Sequence, residues 1–289
     1  MGVRARIVLY APSRKGAGSA AKAAFDRIAA LEDIMSDYRP TSELMRLCSA
    51  AGGSPVCVSK ELLDVLVKSQ ELSRRSGSAF DVTVGPLARL WREAIRTRSL
   101  PPSGKLEEAR KLVGWRNVVI DQERSTVRLR RRGMQLDLGG IAKGYACDEA
   151  IRILKASGVG SALVEMGGDI AVSGPPPGAA GWKVGVANAD DADSCVVLAN
   201  AAVSSSGDTE QYVQIDGLRY SHIVDPHTGV GVTNRTTITV IAPDCTTSDS
   251  LATSLCVLGA QAGRGLLESY PGARVLSKAC AAARGRGRT

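Results

Sequence analysis

The chain has few aromatic rings, few histidines and no long apolar run. Aromatic residues make up 4% of its 289 residues, too few for a base-stacking platform on single-stranded nucleic acid. Its core must therefore be built from Val, Leu, Ile and Ala. Two histidines, His222 and His227, cannot make an imidazole-rich metal centre, so a hard cation held by oxygen atoms is the metal chemistry left open. Seven cysteines stand at 48, 57, 147, 195, 245, 256 and 280, and no two form C-x-x-C. That excludes zinc ribbons, iron–sulfur spacing and thioredoxin-type redox motifs. Their odd number and apolar surroundings read as buried thiols in a reducing compartment. No apolar run approaches the roughly 20 residues of a membrane span. The opening MGVRARIVLYAP has too short an apolar stretch and no small-residue cleavage site, so it reads as a first strand and not a signal peptide.

What is present suffices for a sizeable core. Apolar residues are 44% and charged residues 23%, proportions that argue against wholesale disorder. The length allows one large domain or two modest ones. The net charge is +8, and Lys278, Arg284, Arg286 and Arg288 contribute to it within the last dozen residues, with no acid among them. That segment reads as a solvated basic tail, not a nucleic-acid-binding arm.

Periodicity places the elements. Residues 5–10 form an apolar strand and SRKGAGS (13–19) a turn, after which Ala24, Ile28, Leu31 and Met35 recur at helical spacing until the stop before Pro40. A second helix is expected from a Ser59 cap to Gly77, and a third from Ser103 to Gly114. Two short strands, NVVI and TVRLR, follow. From Asp137 to Gly158 the chain reads as a strand end, a glycine-rich turn and a helix, and then come strands SALVEM, WKVGVA and SCVVLANAAVS. Asp216-Gly217 marks a type I′ hairpin between Tyr212 and His222. The strand TTITVIA leads into a last helix closed at Gly259. Helices and strand groups are mixed, so the expected class is α+β with substantial antiparallel sheet.

Five clusters hold groups that chemistry could use. Gly16-Ala17-Gly18-Ser19-Ala20-Ala21 fits a dinucleotide fingerprint. The acid that should hold a ribose about 20 residues on falls among Glu32, Asp33 and Asp37, in or after a helix, so a Rossmann dehydrogenase is a distant reading. Gly139-Gly140-Ile141-Ala142-Lys143-Gly144 looks like an anion-binding turn, with backbone N–H groups, a helix N-terminus and a lysine charge. It is not a Walker A loop, because Lys143 precedes Gly144 and Tyr145 follows, and a purely structural turn explains it equally well. Asp249 and Thr253, four apart at a helix start, share one face and could hold Mg²⁺ through oxygen; an Asp there also serves the helix dipole whatever the function. The stretch 204–229 holds both histidines, Asp208 and Asp225. His222, ahead of the Pro226/Gly229 turn, is placed to face a cleft, and histidine suits proton transfer near neutrality, although a lone strand histidine is commonly structural. SGSAFDVTVGPLARLW (76–91), with Asp81, Thr83 and Gly85, shows no chemistry by itself.

Taken together and in order, these segments are far more specific. MSDYRPTSELMRL (35–47), GSAFDVTVGPLARLW (77–91), KLVGWRNV (111–118), LDLGGIAKGYACDEAIRIL (136–154), VEMGGDIAVSG (164–174), SSSGD (204–208), YSHIVDPHTG (220–229) and TVIAPDCTTSDSLATSLCVLG (239–259) span nearly the whole chain up to the tail. On them the chain resembles the ApbE family, the FAD:protein FMN transferases. The resemblance implies a T-fold-like α+β architecture, an antiparallel sheet packed by helices with FAD in a central cleft. It covers residues 1–275 as one flavin transferase domain, or a pair of subdomains, with 276–289 as a basic disordered tail. It implies Mg²⁺-dependent transfer of the FMN moiety of FAD to a threonine hydroxyl of a target protein, an electron-transfer subunit, with release of AMP.

Carried over residue by residue, Asp249, Thr253 and the backbone carbonyl of Gly140 look like the metal ligands. Met35, the Ala79-Phe80-Asp81 segment, Lys143 and Gly167-Gly168-Asp169 look like parts of the FAD site. His222 looks like the residue that activates the acceptor hydroxyl. Cys48 and Glu165 stand where the family commonly has Asn, and His227 replaces a frequent Arg or Lys, departures that bear on the fine shape of the flavin pocket. Family members are usually exported, often on a lipid-anchored cysteine. The chain as written shows neither signal, so the expectation is cytoplasmic, or exported if a leader has been removed. Neither a nucleic-acid partner nor a transmembrane segment is expected. Two rivals share the cleft: a protein that binds FAD without transfer, and an FAD pyrophosphatase giving FMN and AMP. Having Asp249, Thr253 and His222 together favours transfer.

Overall fold

Alternating burial along residues 5–10 makes the first strand, β1 (Ala5–Tyr10), in a computed structural model that describes residues 2–185, 195–207, 212–234 and 236–279. The segment expected to be a turn is instead the first turn of α1 (Arg14–Met35): the Ser13 hydroxyl caps it by accepting from the Gly16 amide, and Ala20, Ala24, Ile28, Leu31 and Met35 form its buried stripe. Ser42 caps a short helix, α2 (Glu43–Ser49), that periodicity did not reveal. After β2 (Val56–Cys57) comes α3 (Lys60–Arg75), capped at Ser59 as its sequence signals. A 3₁₀ turn at Val82–Val84 leads into α4 (Gly85–Thr97), a second helix not anticipated. Then follow α5 (Ser103–Arg110), which stops short of Gly114, and the antiparallel pair β3 (Val118–Asp121) and β4 (Thr126–Leu129).

The residues before the glycine turn at 139–140 are not a strand end; they run in non-repetitive chain into α6 (Ala142–Ala156). Next are β5 (Ser161–Met166), β6 (Asp169–Val172), β7 (Trp182–Gly185), β8 (Cys195–Leu198) and β9 (Ala201–Ser206). The run SCVVLANAAVS thus supplies two strands, and they belong to different sheets. The hairpin of β10 (Tyr212–Ile215) and β11 (Leu218–Ser221) turns at Asp216 and Gly217, whose φ values of 48° and 78° are those of a type I′ turn. Last come β12 (Thr236–Ala242), α7 (Cys245–Glu268), broken in φ/ψ at Gly259, and β13 (Arg274–Ala279). The tail boundary expected at 276 falls inside β13, while residues 280–289 lie outside the described residues.

The fold is α+β, as the pattern of elements indicates. Six strands form an open antiparallel sheet in the order β1-β5-β6-β9-β12-β13. It does not close into a barrel. One face carries α1, α6 and α7 over the main core, in which Leu31, Ala146, Ala150, Val164, Val240 and Leu251 are buried. The other face is covered by β7 and β8 through Leu163, Trp182, Val184, Leu198 and Val203. A smaller cluster pins the β10–β11 hairpin to α4: Trp91 packs edge-on against Tyr220 at 5.4 Å and donates its indole N–H to the Ser221 carbonyl at 2.9 Å. No described helix is long and apolar enough to cross a membrane.

Candidate functional site

A cleft of about 810 Å³ opens where the sheet, the N-terminal ends of α6 and α7, the Val82–Val84 turn and the loop after β11 meet. Met35, Ala79, Phe80, Asp81, Gly140, Lys143, Gly167, Gly168, His222, Asp249 and Thr253 all line it. Of the residues assigned to the flavin and metal sites by the family resemblance, Asp169 is the one absent from this lining. It lies behind the wall, 2% exposed, and reaches the cleft through Lys143.

Lys143 is the centre of a buried charge cluster. Its ammonium sits 2.5 Å from Asp169 Oδ2 and 3.3 Å from Asp249 Oδ1. Burial alone would lower the lysine's pKa, but the carboxylates of Asp249 and Asp169 outweigh it and hold the group cationic well above the usual lysine range. Burial, with Asp249's charge adding to it, pushes Asp169 up to about 7 against the pull of Lys143 and a hydrogen bond from Ser204. Two carboxylates thus share one ammonium.

Close approach of α6 to α7 creates this cluster. A Cβ on Gly144 would lie 2.2 Å from the Cys245 carbonyl oxygen and 2.9 Å from Asp249 Cβ, so only glycine lets the helices meet here. The freed amide of Gly144 donates to Asp249 Oδ2 at 3.0 Å. One turn on, Thr253 Oγ1 lies 3.3 Å from Ser206 Oγ. A Cβ on Gly140 would sit 3.1 Å from Thr253 Oγ1 and 3.2 Å from Phe80 Cε2, which brings the glycine turn against Thr253 with no side chain between. Asp249, Thr253 and the Gly140 turn are thus brought together, and the groups they could offer a metal, a carboxylate, a hydroxyl and a backbone carbonyl, are all oxygen. That suits Mg²⁺, which keeps several waters and binds through few carboxylates plus substrate phosphates. No group of three His, Cys, Asp or Glu side chains able to hold a metal occurs among the described residues.

The remaining residues divide by what their atoms do. Asp81 spends both carboxylate oxygens on structure: Oδ1 accepts from the Thr83 amide (2.8 Å) and hydroxyl (2.6 Å), and Oδ2 from the Trp115 amide (2.9 Å). It shapes the cleft wall. His222 stands exposed in the bend that follows β11. His227 is turned away, with Nδ1 on Asp225 and Nε2 3.2 Å from the Gly77 carbonyl. Of the family departures, Glu165 lines the cleft and pairs with Arg6, whereas Cys48 is buried beneath it, its sulfur accepting from the Leu136 amide and its thiol pushed by burial up to about 11. Asp208 lies outside the described residues.

Sequence reasoning missed one constellation in the cleft. Arg92 Nη2 bridges Asp37 (2.6 Å) and Asp137 (2.8 Å), and its guanidinium lies 4.5 Å over the Tyr38 ring. Asp137 Oδ1 in turn accepts from the Gly139 amide at 2.8 Å and fixes the glycine turn. No local signal marks Arg92, because its partners stand 55 and 45 positions away. Tyr38 and Asp37 lie within MSDYRP beside Met35, where the motif held a clue.

Comparison with known proteins fits this geometry. The profile of the ApbE family matches residues 1–276. The FAD:protein FMN transferase of Treponema pallidum (strain Nichols) is 34% identical over 263 residues, covering 85% of this chain and 73% of that protein. The ApbE protein of Thermotoga maritima superposes with a TM-score of 0.84 at 32% identity, over 96% of this chain and 91% of its own. The flavin transferase ApbE from Vibrio cholerae does so with a TM-score of 0.82 at 30% identity, over 96% and 90%.

Proposed function

The chain belongs to the ApbE family and is a flavin transferase, and from that premise we propose that it moves the FMN moiety of FAD onto a threonine hydroxyl of an acceptor protein, releasing AMP in a Mg²⁺-dependent reaction. The observation that supports this most directly is the meeting, in one cleft, of a charge-held lysine, an oxygen donor set and an exposed histidine. Met35, Phe80, Gly167 and Gly168 would flank FAD, with Asp81 and Asp169 holding that wall in shape.

A diphosphate carries negative charge that repels any nucleophile, so the site must aim cations and N–H donors at the phosphoryl oxygens. Lys143 supplies a full charge in the first turn of α6, where the helix dipole adds to it. Asp169 and Asp249 hold that ammonium in place. Gly140, Asp249 and Thr253 would hold magnesium, which when bound neutralises diphosphate charge. The acceptor's threonine oxygen bonds to the FMN phosphorus, the bond from that phosphorus to the bridging oxygen breaks, and AMP departs with that oxygen. The hydroxyl proton passes to His222, whose exposure lets a residue borne on another protein reach it. Such a base is worth about 10² to 10⁴ in rate.

The test is incubation with FAD, Mg²⁺ and a threonine-bearing electron-transfer subunit, with in-gel flavin fluorescence and AMP as readouts. Labelled acceptor and AMP together are expected. AMP without label would identify a pyrophosphatase, and FAD bound without turnover a carrier. Asp249→Ala should abolish Mg²⁺-dependent turnover, and retained turnover would remove it from the metal site. His222→Ala should slow transfer by about 10² to 10⁴ with FAD binding intact; loss of binding would make His222 a binding residue.

A further inference from the structure

The positive charge of this chain is concentrated. Residues 89–132 carry thirteen Lys or Arg against five Asp or Glu, an excess equal to the +8 of the whole sequence. The segment runs from α4 through α5 to the end of the β3–β4 hairpin, and short-range bonds gather its cations. The Arg131 guanidinium donates to the Lys111 carbonyl. The Arg130 amide donates to Asn117 at 2.9 Å, next to Arg116, whose guanidinium lies 4.4 Å over the Trp115 ring. Arg110, Lys111, Arg116, Arg130, Arg131 and Arg132 are all exposed. None of the six pairs with a carboxylate among the described residues, whereas their neighbours Arg92, Arg96 and Arg124 each do.

This face adjoins the loop that carries His222. A Cβ on Gly229 would meet Leu106 Cδ1 at 2.8 Å and Arg110 Cγ at 3.5 Å, so Gly229, at the end of that loop, rests on α5. The Trp115 indole donates to Ser78, next to the Gly77 carbonyl that faces His227. Six exposed cations without an ion-pair partner among the described residues, next to that loop, create a field that steers a negatively charged surface and raises its rate of encounter.

We propose that this basic face is the docking surface for an acidic region of the acceptor protein, which it guides so that the acceptor hydroxyl meets His222. The inference rests on the transferase reading above. Position favours a protein over a lipid surface: the face is contiguous with the reactive loop. Its cations also come from the end of α5, the turn after it and the chain following β4, and not from one amphipathic helix, the usual device for lying on a bilayer.

The probe is a fluorescent decapeptide of alternating Asp and Glu, its anisotropy read against wild type and against Arg116→Ser, Arg130→Ser and Arg132→Ser combined. A triple replacement of the same residues by Lys controls for lost packing. Wild type and the Lys triple should bind the peptide, and the Ser triple about tenfold more weakly at low salt. The gap should close towards 1 M salt, where the screening length falls to roughly 3 Å, and FAD binding by flavin quenching should stay the same in all three. Equal binding by wild type and the Ser triple, or no binding by any, overturns the proposal. So does capture of vesicles of phosphatidylglycerol and phosphatidylcholine in preference to the peptide, which would make the face membrane-binding. These outcomes leave FAD turnover untouched, whereas failure of the transferase reading would appear as absent AMP release with peptide binding intact.

Discussion

Two glycines of this chain predict opposite outcomes for one substitution. Gly144 has the Cys245 carbonyl where its Cβ would go, and neither backbone can yield without separating Lys143 from Asp249. Gly18 sits inside α1 with nothing within 4 Å of its missing Cβ. Gly18→Ala should therefore stabilise the fold by up to about 1 kcal/mol through helix propensity and a less flexible unfolded chain. Gly144→Ala should cost about 1 to 3 kcal/mol by overpacking and abolish FAD turnover. Denaturant midpoints decide both, and a neutral Gly144→Ala would mean that the α6–α7 contact is softer than described. The G-x-G pattern drew attention to Gly16 and Gly18, which are only helix. The pattern around Gly144 left an anion turn and a structural turn equally open, because sequence shows that a residue is small and not what it is small against. Asp81 teaches the same lesson. The motif names it, while the three hydrogen bonds that occupy it come from Thr83 and from Trp115, 34 positions away.

Among the elements, α7 places both Asp249 and Thr253, and its start is held by two acids. Asp244 caps it by accepting from the Thr247 amide at 2.8 Å. Asp148, reaching over from α6, accepts from the Cys245 and Thr246 amides, each at 2.8 Å, and from the Thr246 hydroxyl at 2.6 Å. Burial pushes the Asp148 carboxyl up to about 6 although these bonds favour its anion. With a folded value above the unfolded one, the group is neutral in both states below about pH 4. Its ionisation then costs the folded state increasingly as pH rises to about 6. The stability advantage of wild type over Asp148→Asn should accordingly shrink between pH 4 and pH 6 and level off above, as followed by thermal melts of both proteins. An advantage that grows with pH would show that the helix end favours the anion more than burial opposes it. Helix starts of this kind were legible where Ser59 announces α3, and the Asp216-Gly217 turn was legible from two residues. α2 and α4 were not: α2 spans only Glu43–Ser49, and α4 opens with Gly-Pro after an apolar stretch that reads equally as strand. β13 was hidden by the charge of the residues that follow it.

Across the whole molecule, the cleft is assembled from distant stretches of chain: the end of α1, the turn before α4, the glycine loop, the β5–β6 connection, the loop after β11 and α7 all contribute walls. Motif order disclosed which stretches matter. It could not disclose that Arg92 joins two of them, since that contact exists only once α4 and the glycine loop are side by side. A ligand that touches so many segments stabilises them together, because it binds the folded state and not the separated pieces. FAD with Mg²⁺ at about 100 times its dissociation constant should add about 2.7 kcal/mol. At roughly 2 to 4 °C per kcal/mol for a chain of this size class, the melting point should rise by about 5 to 10 °C. Chelating the metal should remove most of that rise if Asp249, Thr253 and Gly140 hold the ion against the diphosphate. His222→Ala should keep the full rise if, as proposed, the histidine serves the acceptor hydroxyl and not the flavin. A rise unaffected by chelator would separate FAD binding from the α7 oxygen donors and shift the diphosphate's neutralisation wholly onto Lys143.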